Sequence, residues 1–253
     1  MAQLRINPRE HGYARGKGVF EQILRAAFNV WVEHGSGALT LRRVAAECGM
    51  KAGNLSYYFA SKEDLIRQLL EAITKTYEEM TDEIRHDPKL SPEEQLAAFI
   101  RLVLQDLTSK ETTRIFPDLW AAANHEEFYQ DRLNEIYARS RSYVSSLVGQ
   151  INPALSHDER EAVALFMQAS LEGLTVFAGY GKIGCDRIDW LSRVAQQSFI
   201  DYVKNAQPGQ ISGVPSLGRR KAGAVTTKVT ADAGQPAPKR RKAAPARAKL
   251  DQA

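Results

Sequence analysis

Residues 40–65 read TLRRVAAECGMKAGNLSYYFASKEDL, and this stretch decides the fold of the N-terminal part of the chain. It predicts two short helices joined by a tight turn at Gly49, followed at once by a third helix start. Thr40 is suited to cap the first helix through its hydroxyl, and Gly49 accepts a left-handed backbone that other residues resist. A helix-turn-helix of this kind places its second helix in the DNA major groove. The pattern therefore makes DNA recognition the leading hypothesis.

The second helix of this motif has a composition suited to contact with DNA. The small residues Ala52 and Gly53 would let its N-terminus lie close to a duplex. Side chains that offer donors and acceptors for base edges and phosphates are Lys51, Asn54, Ser56, Tyr57 and Tyr58. Ser61 and Lys62 open the next helix, where exposed N–H groups and a lysine favour a phosphate.

Helix signals dominate the rest of the chain up to about residue 205. A serine followed by an acidic residue three positions later occurs at 61–64, 91–94 and 156–159, which is the pattern of a helix N-cap. Strand alternation and hairpin turns are absent from the sequence pattern. We therefore predict an all-α protein with helices near 17–35, 40–48, 52–58, 62–86, 92–108, 111–124, 126–151, 157–179 and 187–205.

The net charge of +4 is unevenly distributed over the 253 residues. Residues 206–253 contain ten basic and two acidic side chains, whereas the preceding residues contain 24 basic and 28 acidic ones. The C-terminal stretch has low complexity and lacks aromatic residues, so it cannot bury enough surface to offset its ordering entropy. We predict a disordered basic tail over 206–253.

Several classes of function are disfavoured by the residues present. Only Cys48 and Cys185 occur, which suits a reducing cytoplasm, and the five histidines show no metal-ligand spacing. No glycine-rich phosphate loop is present. No apolar run approaches the roughly 20 residues that cross a bilayer. We therefore expect no cofactor, no metal, no enzymatic activity and no membrane partner.

Residues 53–66, GNLSYYFASKEDLI, resemble the signature of the TetR family of bacterial transcriptional regulators. The preceding segments ILRAAF at 23–28 and EHGSGALTLRRVA at 33–45 are similar to the family's first two helices. The close resemblance covers about residues 18–70. It implies domains at 17–64 for the helix-turn-helix and 65–205 for effector binding and dimerisation, flanked by a basic arm at 1–16 and by the tail.

The resemblance also implies which residues meet DNA. Leu55 and Phe59 would form the core of the module. Gly53, Asn54, Tyr57 and Tyr58 would face DNA, and Lys62 and the Thr40 region would contact phosphates. Together with the residues suited to DNA by their own chemistry, the candidate DNA-contacting set is Thr40, Arg42, Lys51, Ala52, Gly53, Asn54, Ser56, Tyr57, Tyr58 and Lys62. Independently of the resemblance, four basic residues precede the first helix: Arg5, Arg9, Arg15 and Lys17. They either reach a groove or the DNA backbone or belong to a frayed terminus.

In the resembled family the central helices enclose a small-molecule pocket and the last two helices form a two-fold four-helix bundle. Pocket candidates in this sequence are Phe116, Trp120, Asn124, His125, Phe128, Phe166 and Phe177. Dimer-interface candidates are Val163, Met167, Ser170, Leu174, Leu191, Ala195, Phe199 and Tyr202. For any one aromatic residue, packing in the core is the competing interpretation.

These observations lead to a working hypothesis about function. The chain would be a homodimeric, sequence-specific regulator that binds a palindromic operator in double-stranded DNA and is released by a small-molecule effector. The alternative is an effector-insensitive DNA-organising protein that uses its basic tail, because a Lys/Arg cluster releases counterions from DNA.

Overall fold

The computed structural model describes the backbone of residues 14–210, and the side chains from residue 18 onward. Over that range the chain forms nine α-helices and no strand: α1 Ala14–His34, α2 Leu41–Glu47, α3 Ala52–Leu55, α4 Lys62–Arg85, α5 Pro92–Asp106, α6 Lys110–Ala123, α7 Glu127–Ile151, α8 His157–Ala178 and α9 Ile188–Asn205. The predicted all-α class is confirmed, and each predicted helix is present. The side chains of the predicted basic arm, and the predicted tail beyond residue 210, lie outside the described part.

Serine caps set the starts of three long helices. The hydroxyl of Ser61 accepts a hydrogen bond from the backbone N–H of Asp64 at 3.1 Å, at the start of α4. Ser91 with Glu94, at α5, and Ser156 with Glu159, at α8, each form a complete capping box. These bonds satisfy N–H groups that have no partner inside a helix. The serine–acid spacing in the sequence therefore located these starts correctly.

Gly49 makes the turn between α2 and α3. Its φ of 66° lies in the left-handed region, which glycine tolerates. The following residues begin α3, which lasts a single turn and is shorter than the predicted 52–58. The hydroxyl of Ser56 donates back to the carbonyl of Ala52 at 3.3 Å, and such local bonding competes with continuation of a helix.

A first hydrophobic core holds the helix-turn-helix in place. Leu55 and Phe59 are fully buried, and the ring of Phe20 stacks on that of Phe59 with centroids 5.2 Å apart. The same core continues along α4 and includes Ile115 and Leu119 of α6. The domain boundary predicted between residues 64 and 65 is thus crossed by a shared core.

A second hydrophobic core is formed by α5, α7, α8 and α9. The end of α9 is attached to it by polar contacts as well. The side-chain amide of Asn152 donates to the carbonyls of Val203 and Ala206 at 2.8 and 3.0 Å, and the carboxylate of Glu159 accepts from the backbone N–H of Gly209 at 2.7 Å. Residues 206–210, predicted as the start of the disordered tail, therefore pack against the helical body.

Candidate functional site

The single turn of α3 presents an open surface. Lys51, Ala52, Gly53, Asn54 and Ser56 are all exposed. Gly53 faces open space, so the backbone at this point can approach another molecule closely. We call residues 51–58 the reading turn.

Tyr57 and Tyr58 have different environments in the reading turn. Tyr57 is 86% exposed, whereas Tyr58 is half-buried and packs against the first core. Their rings meet edge to face with centroids 5.3 Å apart. Tyr57 thus offers its ring and hydroxyl at the surface, and Tyr58 gives part of its ring to the core.

The start of α4 contacts the segment that precedes α2. The hydroxyl of Thr40 caps α2 by accepting from the backbone N–H of Arg43 at 3.2 Å, and Arg42 is exposed. The ammonium group of Lys62 donates to the carbonyl of Ser36 at 3.5 Å. Because an ammonium group has three donors, Lys62 retains capacity for a phosphate oxygen. Helix N-termini attract such anions.

A cavity of about 400 Å³ lies in the helical body. Its walls come from α4, α5, α6, α7 and α8. Aromatic rings line it, together with hydroxyl and carboxyl groups. The lining includes Thr74, Tyr77, Glu78, Asp82, Arg85, Phe99, Asp106, Thr112, Phe116, Tyr137, Arg139, Tyr143 and Glu172.

Asp106 forms the centre of one polar cluster in the cavity. One of its carboxylate oxygens accepts hydrogen bonds from the hydroxyls of Tyr77 and Thr112, each at 2.5 Å. These contacts join α4, α5 and α6. Burial, and then the negative charge of Asp106, raise the pKa of the Tyr77 hydroxyl well above its ordinary value. Tyr77 therefore acts as a hydrogen-bond donor.

Glu172 is the second carboxyl group in the cavity wall. Burial raises its pKa from 4.5 to about 7; the hydrogen bond with Tyr137 opposes this shift, and the charge of Asp106 adds to it. Burial also raises the pKa of Tyr137, whose hydroxyl accepts a hydrogen bond from the indole N–H of Trp120 at 2.7 Å. Glu172, Tyr137 and Trp120 thus form a bonded chain across α8, α7 and α6.

Two adjoining helices expose an apolar surface, here called the α8–α9 face. Its large exposed side chains are Leu165, Phe166, Val176 and Phe177 from α8 and Trp190, Val194 and Tyr202 from α9. Phe166 is 63% and Phe177 68% exposed. Exposed apolar patches of this kind mark interaction surfaces.

The structure agrees with only part of the predicted set of dimer-interface residues. Val163 and Met167 are buried in the second core, because they lie on the inner side of α8. Partly exposed members of the set are Ser170, Leu174, Leu191, Ala195, Phe199 and Tyr202. The outer positions Phe166 and Phe177, which were assigned to the pocket, belong to the α8–α9 face instead.

The apolar character of α8 has a second consequence. Of the described helices, it alone is long and apolar enough by length and composition to cross a membrane. Apolar residues occupy two of its sides, one in the second core and one on the α8–α9 face. A single such helix is weak support for a membrane span.

Comparison with known proteins identifies the two parts of the chain. Residues 23–69 match the model of the tetR family of bacterial regulatory proteins, and residues 92–194 match that of the BetI-type transcriptional repressor C-terminal domain. The chain belongs to the TetR family of transcriptional regulators. It is a transcriptional regulator rather than an enzyme.

Relatives of this TetR-family chain include the HTH-type transcriptional regulator BetI of Stenotrophomonas maltophilia, 28% identical over 61% of this chain and 78% of that protein. A transcriptional regulator from Rhodococcus has a similar fold, with a TM-score of 0.61 and 20% identity over 73% of this chain and 95% of its own. A regulator from Saccharomonospora viridis, solved in complex with choline, has a TM-score of 0.58 and 19% identity over 75% and 97% of the two chains.

The pocket residues predicted for this TetR-family chain are only partly brought together. Phe116 lines the cavity, and Trp120 reaches it through Tyr137. The others lie elsewhere: Asn124 and His125 are exposed around the end of α6, Phe128 lies under the guanidinium of Arg67, and Phe166 and Phe177 are on the α8–α9 face.

The cavity residues that the sequence prediction missed are mostly polar. Tyr77, Asp106, Tyr143 and Glu172 were not in the predicted set, which favoured aromatic residues in the middle of the chain. Glu172 carries a usable signal, since it is a single acidic residue between apolar and small residues of α8. Tyr77 and Asp106 carry none, because polar residues at the same spacing are common on solvated helix faces.

Helix α6 connects the cavity to the helix-turn-helix in this TetR-family fold. The carboxylate of Asp118 accepts from the backbone N–H of Ser36 at 2.8 Å, just before α2. The guanidinium of Arg114 donates to the carbonyl of Val32 at 2.8 Å in α1. Movement of α6 would therefore be transmitted directly to α1 and to the entry of α2.

Proposed function

We propose that this TetR-family regulator is a homodimeric repressor that binds a palindromic operator through its reading turns and leaves it when a small molecule fills the cavity. The observation that carries the proposal is that two helices, α4 and α6, link the cavity to the helix-turn-helix module. Helix α4 starts beside the module at Lys62 and lines the cavity from Thr74 onward, and α6 contacts both.

The reading turn supports the DNA-binding part of the proposal. Its exposed Lys51, Asn54 and Tyr57 combine a charge for phosphates with hydrogen-bonding groups for base edges. Ala52 and Gly53 allow close approach of the backbone. Thr40, Arg42 and Lys62 supply further groups for the DNA backbone on either side.

The α8–α9 face supports the dimer. Two copies of this face would cover Phe166 and Phe177, which otherwise remain in water at an unfavourable cost of about 25 cal/mol for each Å² of apolar surface. A two-fold dimer presents two reading turns to two half-sites about 34–36 Å apart. The operator would accordingly be palindromic.

Release requires that the effector bind two states of the dimer with different affinity. Differences of about 1–3 kcal/mol are typical of such coupling. The distance along α4 from Lys62 to Tyr77 is about 20 Å, so a small rotation of the helix at the cavity shifts the module. The likeness to a protein solved with choline supports a small-molecule occupant for this fold.

The test begins with DNA selected from a random pool by the purified protein. We expect a palindromic site, protected in footprinting at moderate salt, and loss of protection with compounds that bind the cavity. A protein without any sequence-specific footprint would refute the proposal. Specific binding that no cavity ligand reverses would instead favour the DNA-organising alternative.

A further inference from the structure

The cavity contains two carboxyl groups for which the described residues supply no positive partner. Asp106 accepts from the hydroxyls of Tyr77 and Thr112, and Glu172 shares a hydrogen bond with Tyr137. Neither carboxyl takes part in an ion pair within residues 18–210. The cavity is therefore acidic in its interior.

The two arginines that line the cavity do not neutralise these carboxyls. Arg85 pairs with Asp82 at 2.8 Å, and its guanidinium lies 4.7 Å from the centre of the Tyr143 ring. Arg139 pairs with Glu78 at 2.9 Å. The side chains of these four residues are 43–49% exposed, so they lie on the solvent side of the cavity.

Five aromatic residues line the cavity together with the two carboxyls. They are Tyr77, Phe99, Phe116, Tyr137 and Tyr143. The faces of such rings attract cations, and the attraction grows when water is removed. The volume of about 400 Å³ falls within the range of about 300–1,000 Å³ that is usual for drug-sized ligands.

We propose that this cavity binds a protonated amine with an apolar or aromatic body, its ammonium group held by Asp106 and Glu172. An amine fits better than a quaternary ammonium, because both carboxylates retain acceptor sites that an ammonium N–H can fill and an N-methyl group cannot. The role of this amine as the effector rests on the proposed function, whereas its binding to the cavity does not.

Protonation of Glu172 makes the binding depend on pH. The titratable groups facing it are Tyr77 from α4, Asp106 from α5 and Tyr137 from α7. The Glu172 pKa of about 7 leaves this residue partly protonated at neutral pH. An ammonium group favours the carboxylate form. Affinity for an amine is therefore expected to rise from pH 6 to pH 8, as Glu172 loses its proton.

The test is calorimetric titration of the full-length protein, without DNA, with four probes at pH 8. These are 2-phenylethylamine, its neutral isostere 2-phenylethanol, the anion phenylacetate, and choline. We expect the amine to bind at least tenfold more tightly than each of the others. Equal binding of the alcohol or the anion, or tighter binding of choline, overturns the proposal.

Charge-removing variants locate the site. Glu172→Gln and Asp106→Asn keep the side-chain shape and should each weaken amine binding at least tenfold, with little effect on the alcohol. Glu83→Gln removes an exposed charge of α4 outside the cavity and should change nothing. Glu172 takes part in no other described ion pair, so the loss of its charge should act on amine binding directly. Unchanged amine binding in folded Glu172→Gln overturns the proposal.

The outcome is separable from that of the proposed function. Amine binding without release of DNA would leave the site intact and contradict effector control. Release of DNA by compounds that are not amines would support effector control and contradict the assignment of the ligand class.

Discussion

The indole N–H of Trp120 donates to the hydroxyl of Tyr137 at 2.7 Å. Tyr137 is also hydrogen-bonded to Glu172 in the cavity wall. Trp120 lies on α6, which contacts the helix-turn-helix module through Asp118 and Arg114. The pair thus connects a titratable group of the cavity with the helix-turn-helix in a few bonded steps.

Loss of this hydrogen bond should lower stability measurably. Trp120→Phe is expected to reduce the free energy of unfolding by about 1 kcal/mol, the usual net value of a hydrogen bond. Tyr137→Phe should cost more, because it also removes the hydrogen bond to Glu172. In the double variant the losses should not add, because both changes remove the same bond. Urea denaturation measures these values. Tyr57→Phe, at an exposed tyrosine, serves as the control and should show no loss; additive losses at 120 and 137 would contradict the coupling.

The raised pKa of Glu172 predicts a stability difference that depends on pH. Its folded-state pKa of about 7 exceeds the ordinary 4.5, so ionisation destabilises the fold as pH rises through this range. Above pH 7 the Glu172→Gln variant should be more stable than the natural protein by about 2 kcal/mol. This value is smaller than the pKa shift would give at 1.36 kcal/mol for each pKa unit. Below pH 4.5 the difference should vanish. Chemical denaturation at pH 5 and pH 8 measures the trend, with Glu83→Gln as control; a difference independent of pH would rule out this titration.

Two substitutions in the reading turn should have different effects, one on DNA specificity and the other on overall DNA affinity. Asn54→Ala is expected to cost about 1–3 kcal/mol of binding to the selected operator, with a smaller loss on unrelated DNA. Lys51→Ala should weaken both DNAs alike and reduce the slope of log affinity against log salt by about 1. Fluorescence anisotropy at several salt concentrations measures both effects. Equal losses on both DNAs for Asn54→Ala would remove this residue from base recognition.

The α8–α9 face should control assembly. Phe166→Glu places a charge where two copies would meet, and it is expected to weaken dimerisation at least a hundredfold. Ala121→Glu adds the same charge at an exposed position of α6 outside this face and should leave the dimer unchanged. Sedimentation equilibrium measures the association. A natural protein that is monomeric at micromolar concentration would contradict the proposed dimer.

Removal of residues 211–253 distinguishes the two hypotheses about DNA binding. If the body selects the operator, preference for that site over unrelated DNA should be kept, while overall affinity and salt dependence fall with the loss of basic residues. Competition binding between the two DNAs measures the preference. A truncated protein that no longer distinguishes them would favour the tail-driven alternative.

The sequence predicted the helices well because their signals are local. Gly49 and the serine caps at 61, 91 and 156 act through neighbouring backbone groups, so their spacing alone locates the ends of helices. The length of α3 was harder to predict from the sequence, because the hydrogen bond from the Ser56 hydroxyl to the Ala52 carbonyl competes with helical propensity.

The cavity was harder to predict, because it depends on which sides of five helices face one another. Phe166 and Val163 are three residues apart on α8, yet the first is exposed and the second is buried. Both sides of α8 are apolar, so hydrophobic periodicity could not tell the core side from the outer side. The polar residues Asp106 and Glu172 meet in one cavity only because distant parts of the chain pack together.

The reading turn contains one helical turn of four residues, and isolated helices shorter than about 12–15 residues are marginal in water. Its conformation is therefore stabilised by the underlying hydrophobic core, to which the buried side chains of Leu55 and Phe59 belong. Lys51, Asn54 and Tyr57 are exposed and contribute little to that core. Under the proposed function, substitutions at these positions should change the DNA sequence that is bound while stability is retained. Conversely, a smaller side chain at Leu55 or Phe59 should weaken the proposed DNA recognition, although every exposed side chain of the reading turn is kept.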